Sequence, residues 1–460
     1  MISMGARRDI RSRLFGSIGR VLGSIDTDVR SMARSIKGVE LGGLGDIECP
    51  DGAVGVFTDG SNVVSERRGA GIVAFSAVSL VFRISGGRLR VLERCILSPA
   101  TCFLVMVPRF NVRTRANNIM RGLELLTATY MLEKGGDVQP SFVVLDGSYV
   151  STLLSARWGI EHIYRDLYEL SVKSAGSAGM KHSDFVWMCG SISDHVRRFL
   201  EEEVFSTSEP GEISRRFLES HATAVDEMFE DLVGSFGVPD EAWSALINFL
   251  AMFLETNFMM ECLRRLLVAA RRRRKPLMWL NKEPESRMLA RRLGRSLRML
   301  TDAMILDIAL RRGEYLRCLD LPKIDPSGKY VDGERCDRRA THALVPDLAD
   351  EVYGIYGSYG VIYVKYADFV IQYTYPRAIF GPSREERHML DSAVLSYVRM
   401  LWDASPLGYP HPMIQAHSTA VLREGLAEVM ADSLLEGLTD ERDGLIRRLI
   451  EKPSRRLAGV

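Results

Sequence analysis

Val54-Gly-Val-Phe-Thr-Asp59-Gly-Ser-Asn-Val63 is the segment around which the rest of the chain is arranged. Its apolar β-type run predicts a strand that carries Asp59 at its end, with Gly60-Ser61 turning the chain away. The same pattern, an apolar run followed by Asp-Gly-Ser, recurs once, in Phe142-Val-Val-Leu-Asp146-Gly-Ser148. Because neighbouring strands present their ends at one edge of a sheet, the two segments predict that the carboxylates of Asp59 and Asp146 lie close together.

The residues between these strands predict one helix, Val112–Glu133, with an apolar stripe along one face. Glu124 adjoins that stripe, so its carboxylate would face the sheet. Strand-Asp, helix-Glu, strand-Asp is the order in which nucleases of the ribonuclease H-like fold hold divalent metal. Two such ions about 4 Å apart can activate a water and stabilise the leaving oxygen in phosphodiester hydrolysis. Hard oxygen ligands suit Mg²⁺ or Mn²⁺.

Each of these residues also has a structural interpretation. Asp-Gly-Ser is ordinary turn sequence, so Asp59 could simply form a turn. Glu124 could be a surface partner of Arg121 on the same helix. Ser61 and Ser148 would cap turns. The repeat of the strand-Asp pattern on both sides of a helical Glu favours the metal site.

Composition excludes several classes of protein. The 460 residues carry a net charge of +1, so a nucleic-acid site would have to rest on local basic patches. The seven cysteines are scattered without a Cys-x-x-Cys pair, which argues against disulfides or a zinc site and favours a reducing cytoplasm. No apolar run approaches the roughly 20 residues that span a bilayer. No phosphate-binding Gly-x-x-x-x-Gly-Lys loop is present.

The order of patterns predicts an α/β protein, with a ribonuclease H-like mixed sheet flanked by helices, a large helical insertion and an N-terminal helix. The N-terminal helix is predicted over Asp9–Lys37, and an exposed loop over Asp320–Thr341. The predicted strands are Ala53–Thr58, Gly69–Ile84, Arg88–Leu97, Cys102–Val107, Ser141–Leu145, Pro276–Leu280, Gly360–Tyr366 and Asp368–Tyr375. The other main helices are predicted at Ser193–Phe205, Glu212–Gly234, Ala242–Met260, Pro284–Arg298, Thr301–Leu310, Arg384–Trp402 and Ala416–Leu435.

These elements divide the chain into five predicted segments. They are an N-terminal helical segment, the first part of the nuclease core, the helical insertion, the second part of the core and a C-terminal helix or tail: residues 1–45, 46–155, 156–270, 271–435 and 436–460.

Two later stretches add polar chemistry. In Gly408-Tyr-Pro-His-Pro-Met-Ile-Gln-Ala-His417 the prolines fix the backbone, and His417 at the start of a helix could bind metal or move a proton. His411 is its rival, and a structural histidine is the alternative. The five basic residues Arg271–Lys275 could bind phosphates or form a solvated surface turn.

Together these segments resemble the NurA nuclease family. The matching features are Asp59-Gly-Ser61, Glu124 on the following helix, Leu-Asp146-Gly-Ser148, and Tyr409-Pro410 with Ala416-His417. Further agreement comes from Trp279-Leu-Asn-Lys282 with Ser286, from Leu300-Thr-Asp302, and from Val361–Pro376. The resemblance covers roughly residues 50–435 and weakens across residues 160–260.

The resemblance implies a Mn²⁺-dependent (or Mg²⁺-dependent) ribonuclease H-like nuclease with two ions in each active site. Family members are homodimers that work with the hexameric HerA ATPase and resect double-strand breaks to 3′ single-stranded tails for homologous recombination. Carried over by position, Asp59, Glu124 and Asp146 would be the metal carboxylates. His417 would join the metal site or act on the phosphate, with Tyr409 beside it. Lys282 would contact phosphate, and Arg271, Arg272 and Arg273 are the further nucleic-acid-binding candidates.

The leading hypothesis is a DNA-end nuclease of the cytoplasm, associated with the nucleoid, that cuts single strands and resects duplex ends from the 5′ side. A ribonuclease H or junction resolvase would keep the fold with a different substrate. A non-catalytic scaffold that docks on a DNA translocase would predict lost acidic ligands, which this sequence retains. The nearly uncharged helix Ala242–Met260 could be dimer interface or intramolecular core.

Overall fold

A computed structural model describes residues 39–85, 88–134, 139–158, 160–173, 180–293, 300–319, 321, 323–324, 345–405, 408–437 and 444–452. The predicted N-terminal helix Asp9–Lys37 lies outside the described residues, as do most of the predicted loop Asp320–Thr341 and the end of the predicted helix Pro284–Arg298. The division of the chain into five segments stays a prediction.

The described residues form one mixed sheet of ten strands. Along the sheet the order is β1-β8-β9-β10-β7-β6-β2-β3-β4, and β5 pairs with β3. The strands are β1 Val39–Gly43, β2 Ala53–Glu66, β3 Gly71–Ser85, β4 Arg88–Leu97, β5 Phe103–Met106, β6 Phe142–Asp146, β7 Leu277–Asn281, β8 Glu314–Cys318, β9 Tyr359–Lys365 and β10 Val370–Pro376. The pairs β2–β6 and β6–β7 are parallel, and the other pairs are antiparallel.

The central strands confirm the predicted fold class. Three antiparallel strands, β4-β3-β2, are followed in the sheet by the parallel strands β6 and β7, and the helix that connects β2–β5 to β6 covers one face. This is the ribonuclease H-like arrangement. The strands β10, β9, β8 and β1 extend the sheet beyond β7. Strands β1 and β8 were not predicted, because their mixture of charged and apolar residues is buried only through contacts between distant segments, such as Arg317 with Glu40.

Strand β2 differs from its prediction in a way that matters for the site. It does not end at Asp59 but continues to Glu66, paired with β3 along its whole length. Gly60 and Ser61 therefore lie within a strand and form no turn. The parallel neighbour β6 is much shorter, and its pairing with β2 ends at Thr58 and Leu145. From Asp59 onward, the edge of β2 that faces β6 is therefore free of a neighbouring strand.

Helices cover the sheet and form the insertion. In the described part of the chain the α-helices are α1 Val112–Glu133, α2 Tyr149–Trp158, α3 Glu161–Tyr168, α4 His182–Arg198, α5 Pro210–Phe236, α6 Trp243–Arg273, α7 Met288–Leu293, α8 Asp302–Ala309, α9 Pro346–Tyr356, α10 Arg384–Asp403, α11 His411–Ala420, α12 Leu426–Gly437 and α13 Gly444–Ile450. Helix α1 has the predicted bounds. Helix α9 was not predicted.

Helix α6 settles the choice between interface and core for Ala242–Met260. By length and composition the segment Asp240–Arg273 could cross a membrane, but 89% of its most apolar window is buried inside the protein. Leu250 is fully buried, and α6 packs against α1, α5 and α9. Arg115 on α1 forms a buried ion pair with Glu255 on α6, at 2.7 Å. The suggestion that this helix forms a dimer interface is wrong, because its apolar surface is already covered within one chain.

The C-terminal region also differs from its prediction. The predicted single helix Ala416–Leu435 is two helices, α11 and α12, separated by an irregular segment that begins at Val421. Helix α11 starts at His411, five residues before the predicted start at Ala416, so His417 lies in the last turn of α11 and not at the start of a helix. Both helices pack on β2 and β3. They occupy the side of the sheet where β2 extends beyond β6.

Candidate metal centre

The sheet brings Asp59 and Asp146 together. Strands β2 and β6 are parallel and in register from Gly55 with Phe142 to Thr58 with Leu145, so the two aspartates follow that register as the next residues on their strands. Asp59 is 3% exposed, and its Oδ1 accepts a hydrogen bond from the Gly60 amide at 2.8 Å. The predicted pairing of the two carboxylates is therefore present, although Asp59 lies inside its strand.

Helix α1 supplies the third carboxylate. Glu124 is 8% exposed and lies over β2. A Cβ atom added at Gly60 would stand 2.7 Å from both Cγ and Oε1 of Glu124. Gly60 is thus required for the close approach of Glu124 to the strand, a role that its position in Asp-Gly-Ser did not reveal.

Helix α11 adds a histidine to Asp59. Nδ1 of His417 lies 2.7 Å from Oδ2 of Asp59, and the carboxylate accepts the hydrogen bond. The imidazole is about half exposed, which leaves Nε2 as the ring nitrogen available to a further group. The end of α11 is held in place because the Leu422 amide donates to Ser61 Oγ at 3.2 Å. The rival His411 is the exposed first residue of α11, six residues from His417.

A tyrosine contacts the second aspartate. The hydroxyl of Tyr409 donates to Oδ1 of Asp146 at 3.3 Å. Burial and the neighbouring carboxylates Asp146 and Asp59 raise the pKa of Tyr409, so its hydroxyl remains protonated at neutral pH. The preceding Gly408 has a φ of +103°, a conformation that L side chains rarely adopt. The short segment Tyr409–His417 therefore contributes one group to each aspartate.

The electrostatics of the cluster disfavour three negative charges. Burial, and then the charge of Asp146, raise the pKa of Asp59 to about 6, although His417 and the Gly60 amide oppose the shift. Burial, and then Asp59 and Asp146, raise the pKa of Glu124 well above its usual value. The negative charge of each aspartate thus disfavours ionisation of Glu124. Without a cation, ionising all three carboxyl groups at neutral pH costs free energy.

The residues present fit a divalent cation. The donors are hard carboxylate oxygens, which Mg²⁺ and Mn²⁺ prefer, and their mutual repulsion is what a cation would relieve. Beside them lies a cavity of about 30 Å³, whose lining includes Glu124, Asp146 and Ser148. Among the described residues, no three histidine, cysteine or acidic side chains already stand at metal-binding positions. The carboxylates would therefore have to move closer together around an ion.

Arg121 is a residue of this site that the sequence did not assign to it. It lines the same cavity as Glu124 and Asp146, and its charge lowers the pKa of Glu124. The structural interpretation of Glu124 as a helix-surface partner of Arg121 needs correction, because Glu124 is buried, at 8% exposure, and lies over the sheet. The charge of Arg121 does act on Glu124, but among the described residues the two form no direct ion pair. The signal in the sequence was the spacing of three residues, which places Arg121 and Glu124 on one face of α1.

The predicted nucleic-acid residues lie at two ends of β7. Lys282 is exposed and directly follows β7, whose Leu280 pairs with Asp146, so it lies at the edge of the sheet that carries the site. Arg271, Arg272 and Arg273 end α6, before β7 begins, and are thus near the opposite edge. Arg272 forms an ion pair with Glu133 at 2.5 Å, and Arg273 donates to the backbone of the same residue at 2.9 Å. The structure does not bring these three arginines to the carboxylates, and their binding to nucleic acid stays a prediction.

Comparison with solved structures shows which fold this is. A crystal structure of NurA bound to dAMP and manganese aligns over 97% of this chain and 100% of its own, with a TM-score of 0.58 and 14% identity. NurA with manganese aligns with a TM-score of 0.54 and 14% identity over 93% of this chain and 98% of its own. A further NurA structure gives the same score and identity over 98% and 100%. No protein-family model matches the sequence, and no curated protein matches it. The chain has the fold of NurA.

Proposed function

We propose that this chain, which has the NurA fold, is a metal-dependent deoxyribonuclease. The observation that carries the proposal is the convergence of Asp59, Glu124 and Asp146 from a strand, a helix and the adjacent strand, with His417 hydrogen-bonded to one aspartate and Tyr409 to the other. The manganese and dAMP in the related NurA structure support the choice of metal and of substrate class.

Each residue has a chemical role in this proposal. Asp59, Glu124 and Asp146 would hold one or two divalent ions, Mn²⁺ or Mg²⁺. When bound, these ions supply a nucleophilic water and stabilise the leaving oxygen. His417, whose Nδ1 is engaged by Asp59, would direct Nε2 at the phosphate or its water and move a proton there. The Tyr409 hydroxyl fixes Asp146, and its own proton stays on because its pKa is raised. Lys282 would contact a phosphate near the same edge of the sheet.

We infer cleavage of single strands and 5′–3′ resection of duplex ends in double-strand break repair by homologous recombination. This would take place in the cytoplasm at the nucleoid, as a homodimer that works with a HerA-type hexameric ATPase. The chain has no phosphate-binding loop of its own, which is consistent with a separate motor. Size-exclusion chromatography with light scattering tests the dimer, and ATPase-coupled cleavage with purified HerA-type protein tests the partner.

The central experiment compares the wild type with Asp59→Ala on end-labelled single- and double-stranded DNA, in Mn²⁺, Mg²⁺ or EDTA. Glu66→Gln is the matched control, because Glu66 lies on the same strand, pairs with the exposed Arg113 and is outside the cluster. We expect metal-dependent products from the wild type and the control, and none from folded Asp59→Ala. The label position gives the polarity. Parallel RNA–DNA hybrids and four-way junctions test the ribonuclease H and resolvase alternatives.

The non-catalytic scaffold is the other alternative. It predicts that the wild type is inert with every metal and substrate, also when a HerA-type ATPase is present. Residual activity in Asp59→Ala equal to that of the wild type would instead show that the reaction takes place at another site.

A further inference from the structure

We propose that Arg121 binds a backbone phosphate of the DNA strand, on the side of the carboxylate cluster opposite to His417. The inference rests on the proposed function and extends it by naming a cation that positions the substrate. Among the described residues that line the cavity beside the candidate metal centre, with Glu124 and Asp146, Arg121 is the cationic side chain.

In the part of the chain that the structure describes, the guanidinium of Arg121 has no hydrogen-bond or ion-pair partner that would explain its position. Arg113 and Arg115, on the same helix, pair with Glu66 and Glu255. Arg121 makes no hydrogen bond and no ion pair with any residue of the described chain, although the charge of Glu124 is close enough to be affected by it. A cation that lies beside Glu124 and Asp146 without a direct ion pair to either remains free to bind an anionic ligand.

The other groups around this cavity are compatible with a phosphate. Ser148 and the first turn of α2 line it together with Gly147. The amide of Ser151 points towards Ser148 Oγ at 3.5 Å, so Ser148 stands at the start of the helix, where the positive end of the helix dipole lies. A single water-sized space of about 30 Å³ is too small for a nucleotide base. The cavity is therefore suited to one phosphate oxygen, with the rest of the strand outside it.

A path for the strand follows from the positions of His417 and Arg121. His417 approaches the cluster at Asp59, on β2, whereas Arg121 approaches it on the side of Glu124 and Asp146, next to β6 and β7. A phosphate bound by Arg121 is thus a neighbour of the scissile phosphate and not the scissile phosphate itself. Lys282, which follows β7, lies on the same side. A strand running from Arg121 across the carboxylates to His417 would have its scissile phosphate at the metal.

The test measures binding of a short fluorescein-labelled oligothymidylate in the Glu124→Gln background, which prevents cleavage and removes the charge that Arg121 affects. Arg121→Gln in this background should weaken binding by about tenfold and make the slope of log K against log salt shallower by about 0.7, as for one lost single-strand phosphate contact. Arg121→Lys should restore the slope. Arg113→Gln is the control, a loss of the same charge from the same helix.

Each result has one meaning. If Arg121→Gln leaves the affinity and the salt slope unchanged in the Glu124→Gln background, Arg121 acts only through Glu124 and the inference is overturned. If Arg113→Gln has the same effect as Arg121→Gln, the contribution is general charge and the inference is also overturned. If the wild type neither binds nor cleaves the oligonucleotide, the proposed function itself fails. Should Arg121→Gln not fold, as judged by circular dichroism, an Arg121→Met variant at the same position carries the same comparison.

Discussion

Gly60→Ala should lower the catalytic rate of this protein without lowering its thermal stability. The added Cβ would stand 2.7 Å from Cγ and Oε1 of Glu124, where ordinary contact begins at 3.4 Å. The Glu124 side chain must therefore retreat by about 0.7 Å, the difference between these two distances. Because the clashing atoms belong to the glutamate side chain and not to backbone, the site gives way rather than the strand.

A displacement of this size is large for catalysis. Misplacement by about 1 Å can cost on the order of 100-fold in rate, so we expect kcat of Gly60→Ala in Mn²⁺ to fall between about 10- and 100-fold. Replacing a strand glycine by alanine should leave Tm unchanged or raise it slightly, because alanine loses less backbone entropy on folding. Steady-state cleavage of a labelled oligonucleotide and thermal melting measure the two quantities.

Gly55→Ala is the matched control on the same strand. Its Cβ would meet Cζ of Phe142 at 2.4 Å and Cε2 of Phe57 at 2.7 Å, both rings being fully buried. Overpacking should cost about 1–3 kcal/mol of stability while the folded fraction keeps its kcat. A folded Gly60→Ala with wild-type kcat would refute the reasoning.

Three further perturbations test other features. Asp59→Asn should raise Tm in EDTA by a few degrees, because it removes a negative charge that burial and Asp146 disfavour. Mn²⁺ should then raise the Tm of the wild type more than that of the variant. An unchanged Tm of the variant in EDTA would contradict repulsion between the carboxylates. Burial opposes ionisation of Glu255, but Arg115 and His221 outweigh burial and lower the pKa of Glu255. The interactions of ionised Glu255 therefore stabilise the fold at pH values above its unfolded pKa, and this stabilisation is lost as the pH falls through its folded pKa. Glu255→Gln should therefore cost about 3–5 kcal/mol at neutral pH in urea unfolding, with a gap to the wild type that narrows in acid; a gap independent of pH would count against this account. Leu250→Asp should abolish folding, since Leu250 is fully buried within one chain, and a folded monomer seen by circular dichroism and light scattering would restore the interface hypothesis.

The local patterns of the sequence determined more of the fold than of the site. Helix α1 has its predicted bounds because a helical apolar period is a local property, and the β-runs around Phe57 and Val144 became adjacent parallel strands. The residue at which a strand ends depends less on the local sequence. Whether β2 stops at Asp59 depends on the length of its neighbour and on what covers it, and both are decided by segments far along the chain.

The site shows the same limit. The identities of Asp59, Glu124, Asp146, Tyr409 and His417 were predicted with the help of a family resemblance, and the structure brings all five side chains together. Their contacts were not predictable, because Gly60 and Arg121 acquire their significance only when α1 is laid on the sheet. The break between α11 and α12 was missed for a similar reason, since a continuous apolar pattern does not reveal a tertiary contact that ends a helix, such as the one from Leu422 to Ser61.

The hydrogen bond between Asp59 and His417 joins residues 358 positions apart in the sequence. This separation affects the order in which the site is completed during synthesis on the ribosome. At about 5–20 residues per second, the histidine is made roughly 20 to 70 seconds after the aspartate. Strands β2, β3 and β6 and helix α1 can already have folded by then, with all three carboxylates but without His417 or Tyr409. A nascent chain, or one cut short before α11, thus holds an unfinished centre, and the open edge of β2 is covered only when the last helices arrive.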